Sequence, residues 1–206
     1  MQNLIRNNVY SYLKNVLPEN KIRNIYLYGS RVYGTFTPSS DYDLVVVACS
    51  LYSDKELYTN DYNIHITTPD IFRDKLEKHD IHCLECLFSP DEAKILNSMD
   101  LFGGFKINNT KLRKMLLSQS HCSWVKAKRK IEHDDIIGGE KSLFHSLRIL
   151  NFGLQILEKN IIYDFSNANY IWKEISDCNC CEWDDYFKKW SDIREKMSNE
   201  LKCEVS

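Results

Sequence analysis

Gly29-Ser30-Arg31-Val32-Tyr33-Gly34, followed by Asp41-Tyr42-Asp43-Leu44-Val45-Val46-Val47-Ala48, is the stretch that decides the fold. Ile22 to Tyr28, just before it, is rich in β-branched and aromatic residues and predicts a strand. That strand runs into Gly29, where the missing Cβ lets the backbone come close to a bulky anion. Ser30 is then placed to cap a short helix. Such a helix start turns N–H groups and the positive end of a dipole outward, which suits a phosphate. Thr35 to Ser40, with Pro38 and two serines, predicts a turn.

Asp41 and Asp43 open the next predicted strand. Residues two apart on a strand share a face, so both carboxylates point one way. The apolar run behind them is too continuous for a strand with one wet face, which predicts a central, buried position. Neighbouring carboxylates repel unless a cation sits between them, and Mg²⁺ with its hard oxygen ligands suits the pair. Asp61-Tyr62-Asn63-Ile64-His65-Ile66 alternates and predicts a third strand. Its polar face carries Asp61, Asn63 and His65.

The chain has 206 residues, 43% hydrophobic and 12% aromatic, which gives one sizeable domain or two small ones and excludes global disorder. A net charge of −2 provides no bulk positive field for nucleic acid. The N-terminus has no basic region followed by an apolar run, and no stretch approaches a membrane span. A cytoplasmic protein with no membrane partner is expected, with its eight cysteines reduced. Cys83-x-x-Cys86 and Cys178-x-Cys180-Cys181 are spaced as at zinc sites. Cys83 and Cys86 fall in an apolar run that reads as buried structure, so zinc is not the expectation.

Leu4, Ile5, Val9, Leu13, Val16 and Leu17 predict a helix over 3–17 that stops near Pro18. Asp54 to Leu57 reads as loop or one helical turn. Thr68-Pro69 starts another helix, with Thr68 as N-cap. Glu85 is a charge inside an apolar segment and must have a partner. Leu101 to Ile107 reads as an edge strand or loop, and Thr110 as the cap of a helix. Lys126-Ala127-Lys128-Arg129-Lys130 is either a solvated helix face or a rim for triphosphate or RNA backbone. Gly138-Gly139 breaks the chain. Lys141, His145 and Arg148 then share one helix face, where three donors would suit a triphosphate. Trp183 to Leu201 is an amphipathic helix whose aromatic stripe belongs to a core. The expected fold is α+β: a mixed β-sheet with flanking helices over 1–108 as catalytic domain, then a helical nucleotide- and acceptor-binding region over 109–206.

The run GSRVYGTFTPSSDYDLVVV resembles the nucleotidyltransferase superfamily related to DNA polymerase beta. Leu84-Glu85-Cys86-Leu87-Phe88-Ser89-Pro90 and Lys141-Ser142-Leu143-Phe144-His145-Ser146-Leu147-Arg148-Ile149-Leu150 resemble a narrower branch, as do Asp164-Phe165-Ser166 and Asn169. That branch holds the predicted nucleotidyltransferases of RNA-repair gene clusters, found in phages and bacteria. The resemblance implies transfer of NMP from an NTP, ATP favoured, to a hydroxyl, with pyrophosphate released. It implies that Gly29 and Ser30 hold the β- and γ-phosphates. Arg31 either steadies the triphosphate or pairs with a nearby acid. Asp41 and Asp43 hold two Mg²⁺ ions, with Mn²⁺ as a substitute. A third carboxylate comes from the following strand in this superfamily. Asp61 is the acid available on the polar face, where it would bind the metal that activates the acceptor or take the acceptor's proton directly, while Asn63 sits better by register in some relatives. Lys141, His145 and Arg148 are implied nucleotide-binding residues, with Glu85 and Lys126 as further candidates. The implied acceptor is an RNA end. The alternatives are AMP transfer to a protein or small-molecule hydroxyl, and an inactive nucleotide-binding module.

Overall fold

The computed structural model describes residues 2–49 and 54–203, with side chains from residue 7 onward. Leu4 and Ile5 of the predicted first helix have side chains outside the described residues. The chain forms two compact units, Met1–Lys106 and Ile107–Ser206.

The first unit begins with α1 (Gln2–Leu13) and β1 (Ile22–Tyr28), followed by α2 (Ser30–Tyr33) and β2 (Tyr42–Ala48). Then come β3 (Lys55–Tyr58), β4 (Tyr62–Thr67), α3 (Pro69–Glu77), α4 (Ile81–Phe88) and β5 (Lys94–Asn97). The sheet order is β3-β4-β2-β1-β5. β2 and β4 are parallel; the other pairings are antiparallel. β3 supplies the return path between the parallel pair, so no crossover helix is needed there. Both neighbours of β2 are strands, and residues 44–48 are buried as their unbroken apolar character predicts.

The two faces of the sheet are divided by the period of two. Ile25, Leu44, Val46, Ile64 and Ile66 pack with Val9 and Leu13 of α1 and with Leu17. Each such side chain stabilises by about 1.5–3 kcal/mol when fully buried. On the other face Tyr26 stacks on Phe72 of α3, with ring centres 6.3 Å apart. Thr68 caps α3 by accepting from the Ile71 N–H, and Asp80 caps α4 by accepting from His82 and Cys83. Cys83 and Cys86 lie on α4 in this packing, and burial pushes both thiols up.

Several expectations are corrected. Residues 55–58 are a strand, not a loop or helical turn. The pairing of Lys55–Tyr58 with β4 makes it one, and its exposed edge leaves no apolar signature. The opposite edge strand is Lys94–Asn97, and of the two readings offered for 101–107 the loop is the one found. Ser30 is the first helical residue of α2, and Gly29 takes the cap position. Asp41 and Asp61 each precede their strands by one residue. The first helix ends at Leu13, before the predicted limit.

The second unit contains α5 (Asn109–Ile131), α6 (Ile136–Lys159), α7 (Asn169–Ser176) and α8 (Trp183–Lys202). Asn108, not Thr110, caps α5, because its Oδ1 accepts from the Lys111 N–H. Gly138 and Gly139 lie inside α6. A Cβ on Gly139 would stand 2.3 Å from Ile131, so that glycine serves close packing of α6 on the end of α5. Trp183, Tyr186, Trp190 and Leu201 of α8 are buried, whereas Phe187 is 48% exposed. Cys178 and Cys180 form a disulfide, so the expectation of reduced thiols fails at this pair. Asn179 between them adopts φ 50°, and the resulting turn brings the two cysteines' Cα atoms to 5.2 Å.

Candidate active site

Two rows of side chains cross the sheet on the face away from α1. In the first, Tyr28 of β1 is in register with Asp43 of β2, Asn63 of β4 and Tyr58 of β3. In the second, Tyr26, Val45, His65 and Glu56 follow in the same order. Paired residues point to the same face, so Asp43 stands between Tyr28 and Asn63.

Gly29 fixes the position of Asp43. Its φ of 76° is open to glycine, and an added Cβ would lie 2.1 Å from Asp43 Oδ2. The chain turns there into α2 with its backbone against the carboxylate. Asn63 closes the other side by donating from Nδ2 to Asp43 Oδ1 over 3.0 Å. The remaining amide oxygen, Asn63 Oδ1, is buried without a hydrogen-bond partner. The Asp43 carboxylate and this amide oxygen are hard oxygen donors of the kind a divalent metal takes.

Asp41 is exposed at the mouth of this row. Its backbone carbonyl accepts from Arg31 Nε over 3.1 Å, and the carbonyl of Ser40 accepts from the same guanidinium. Arg31 also stacks on Tyr42, 3.7 Å from its centroid. Arg31 thus ties α2 to the 36–42 turn rather than pairing with an acid. Asp61 is exposed in the bend before β4, and its carbonyl accepts from the Tyr42 N–H over 2.8 Å. Asn63, not Asp61, is the residue in register with Asp43. Among the described residues no group of three His, Cys, Asp or Glu is placed to hold one ion.

Glu85 has the partner its burial requires. It is 1% exposed on α4, and Tyr33 donates to its Oε2 over 2.5 Å. This bond anchors α2 from behind. In the second unit, Lys126 and Lys141 are exposed and His145 is half-buried. Arg148 is 6% exposed, within 2.7 Å of His145 Nδ1 and near the rings of Phe144 and Phe152. The three-donor helix face is therefore graded from solvent into core, because Arg148 sits among apolar neighbours.

Residues not named as site candidates from sequence also line this face. A cavity of about 240 Å³ opens under α3 and α4, lined by Tyr28, Glu56, His65, Lys75 and His82 among others. His65 Nδ1 lies 2.5 Å from Glu56 Oε1. Lys75 pairs with Asp54, which also accepts from Thr67. Burial raises the Tyr28 hydroxyl well above the usual phenol range, and Asp43, Glu56 and Glu85 add to it. Tyr28 therefore stays protonated and able to donate. The period-two spacing of Tyr28 and His65 was a usable signal; Glu56 had none, because its strand is not readable alone.

The family model described as Polymerase beta, Nucleotidyltransferase matches residues 11–123. A spectinomycin adenyltransferase from Enterococcus faecialis, crystallised with ATP and spectinomycin, shares the fold at TM-score 0.52 and 14% identity, over 94% of this chain and 98% of that one. A nucleotidyltransferase-like protein from Exiguobacterium sibiricum aligns over 96% of this chain and 74% of its own, at 10% identity and TM-score 0.36. No curated protein matches the chain. Among the described residues no helix is long and apolar enough to cross a membrane.

Proposed function

The chain belongs to the polymerase beta nucleotidyltransferase family, and on that premise we propose that it moves NMP from an NTP, ATP first, to an RNA-end hydroxyl and releases pyrophosphate. The observation that carries this is Asp43 held between Gly29 and Asn63, with Asn63 Oδ1 buried and unpartnered.

Asp41 and Asp43 would hold Mg²⁺, two ions by family analogy or Mn²⁺ in their place, with Asn63 Oδ1 as a further donor. Bound there, divalent cations polarise phosphoryl oxygens and ease ionisation of the attacking hydroxyl. The chain's own residues set the geometry. The backbone N–H groups at Gly29 and Ser30, where the chain enters α2, receive the β- and γ-phosphates. Asn63 orients Asp43, and Arg31 holds the turn that carries Asp41. Asp61, exposed two residues before Asn63, takes the proton of the acceptor hydroxyl. Lys126 and Lys141 are the exposed cations of the second unit proposed to contact triphosphate or RNA backbone, with His145 and Arg148 ordering that helix face.

The cavity beside Tyr28 favours a second acceptor class. Its volume of about 240 Å³ is below the usual range for drug-sized ligands. It would take a single polar ring better than a folded RNA end. The structurally similar adenyltransferase was crystallised with ATP and a small-molecule compound, spectinomycin.

The test is incubation with each α-labelled NTP and Mg²⁺, together with bulk tRNA, bulk protein or spectinomycin. Label on tRNA supports the lead, and label on the small molecule supports the second class. EDTA and Asp43→Ala should each abolish transfer. NTP binding without pyrophosphate release from any mixture would leave an inactive binding module and overturn the proposal.

A further inference from the structure

Within the second unit, α5 and α8 flank an open pocket of about 390 Å³ that no step above uses. Its α5 wall is aromatic: Trp124 is 8% exposed and stands 6.3 Å, centre to centre, from Phe187 of α8. Its α8 wall is polar. Arg194, Ser198 and Lys202 are spaced four apart, share one helix face and line the pocket.

Two donors on this wall are unsatisfied. Arg194 lies with its guanidinium 5.0 Å over the Trp124 ring, and its Nε is buried without a hydrogen-bond partner. Burial lowers the Arg194 pKa, and no acid offsets the effect. Ser198 is 7% exposed, and its Oγ also lacks a partner. The one carboxylate at the pocket, Glu195, is exposed. Buried donors left bare beside a desolvated cation call for an anionic acceptor. The Phe187 ring, 48% exposed at the pocket beside this cation, adds an aromatic surface against which another ring can pack.

We propose that the α5–α8 pocket binds a planar aromatic anion, its ring against Phe187 and its anionic group on Arg194, Ser198 and Lys202. A nucleoside monophosphate and an aromatic carboxylate share this chemistry. The site is separate from the Asp41–Asp43 centre in both residues and chemistry, since it needs no metal.

The experiment is calorimetric titration of the full chain in EDTA with three probes: AMP, benzoate and inorganic phosphate. Saturable binding of AMP or benzoate at one site per chain is expected, and the tighter of the two identifies the source of the anion. Arg194→Gln and Ser198→Ala should each weaken it at least tenfold while the melting temperature stays within a few degrees. Arg194→Lys, which keeps the charge and loses the flat fork, should recover only part of the affinity. The proposal is overturned if neither aromatic probe saturates, if inorganic phosphate binds as tightly as AMP and benzoate, or if Arg194→Gln leaves affinity unchanged.

Discussion

Replacing Gly29 by alanine tests the central contact of the candidate site. Two costs arise together. The backbone there has φ 76° and ψ −157°, a region nearly closed to residues with a Cβ. Holding a side chain in it costs about 1–3 kcal/mol. The added methyl also starts 2.1 Å from Asp43 Oδ2, against 3.4 Å for ordinary contact, so the carboxylate must retreat by about 1.3 Å. A displacement near 1 Å at a reacting centre costs about 100-fold in rate. Gly104 supplies the control, because its φ is 79° with nothing within 4 Å of the added Cβ. Both variants carry backbone strain, and only Gly29→Ala moves a carboxylate. A loss of about 2 kcal/mol lowers the melting temperature of a unit this size by roughly 10 °C. Scanning fluorimetry and labelled-NTP transfer should show both variants destabilised, and only Gly29→Ala short of activity by about 100-fold. Gly29→Ala melting with Gly104→Ala and transferring at the wild-type rate would refute the reasoning.

Asp61→Ala should lower kcat by about 100-fold or more, the usual worth of a proton acceptor, and leave the KM for ATP within about twofold; an unchanged kcat would move that role elsewhere. Tyr33→Phe removes a hydrogen bond to a buried carboxylate and should cost about 1.5–3 kcal/mol in urea unfolding. An unmoved midpoint would show that α2 is not anchored through Glu85. Asp80 gives a pH signature. Burial raises its pKa, but the bonds from His82 and from the His82 and Cys83 N–H groups outweigh that and hold it low. With the folded pKa below the unfolded value of about 3.9, its stabilisation is complete above that pH and disappears as pH falls through the folded value. The stability gap between wild type and Asp80→Asn, followed by urea titration, should therefore close in acid; a gap constant down to pH ~2, well below the unfolded pKa, would contradict the assignment.

The core of the first unit is legible in residues 22–48 because two independent signals coincide there. A β-branched run reports a buried strand, and a glycine-serine turn followed by Asp-x-Asp reports what its end presents. β3 and β5 are not legible, since short edge strands take their identity from a partner's hydrogen bonds rather than from their own side chains. The paired glycines at 138 and 139 mislead for a related reason: glycine marks either a turn or a close helix approach, and only the neighbouring helix decides. The Asn63 contact with Asp43 depends on the register of two strands 20 residues apart, and pattern alone leaves Asp61 and Asn63 as rivals. The α5–α8 pocket is invisible in sequence, because the α8 pattern shows which faces are apolar but not which donors lack acceptors.

Cys83 and Cys86 are sealed inside α4's packing with thiols held protonated, while Cys49, Cys122, Cys181 and Cys203 are exposed. A thiol reagent such as DTNB will therefore read the chain in two phases: the outward sulfurs at mixing, the inner pair at the pace at which α4 lifts from the sheet. The slow phase amounts to a clock for local opening beneath the candidate site, available without labels or mutations. If ATP with Mg²⁺ stiffens that face, the clock should slow in its presence.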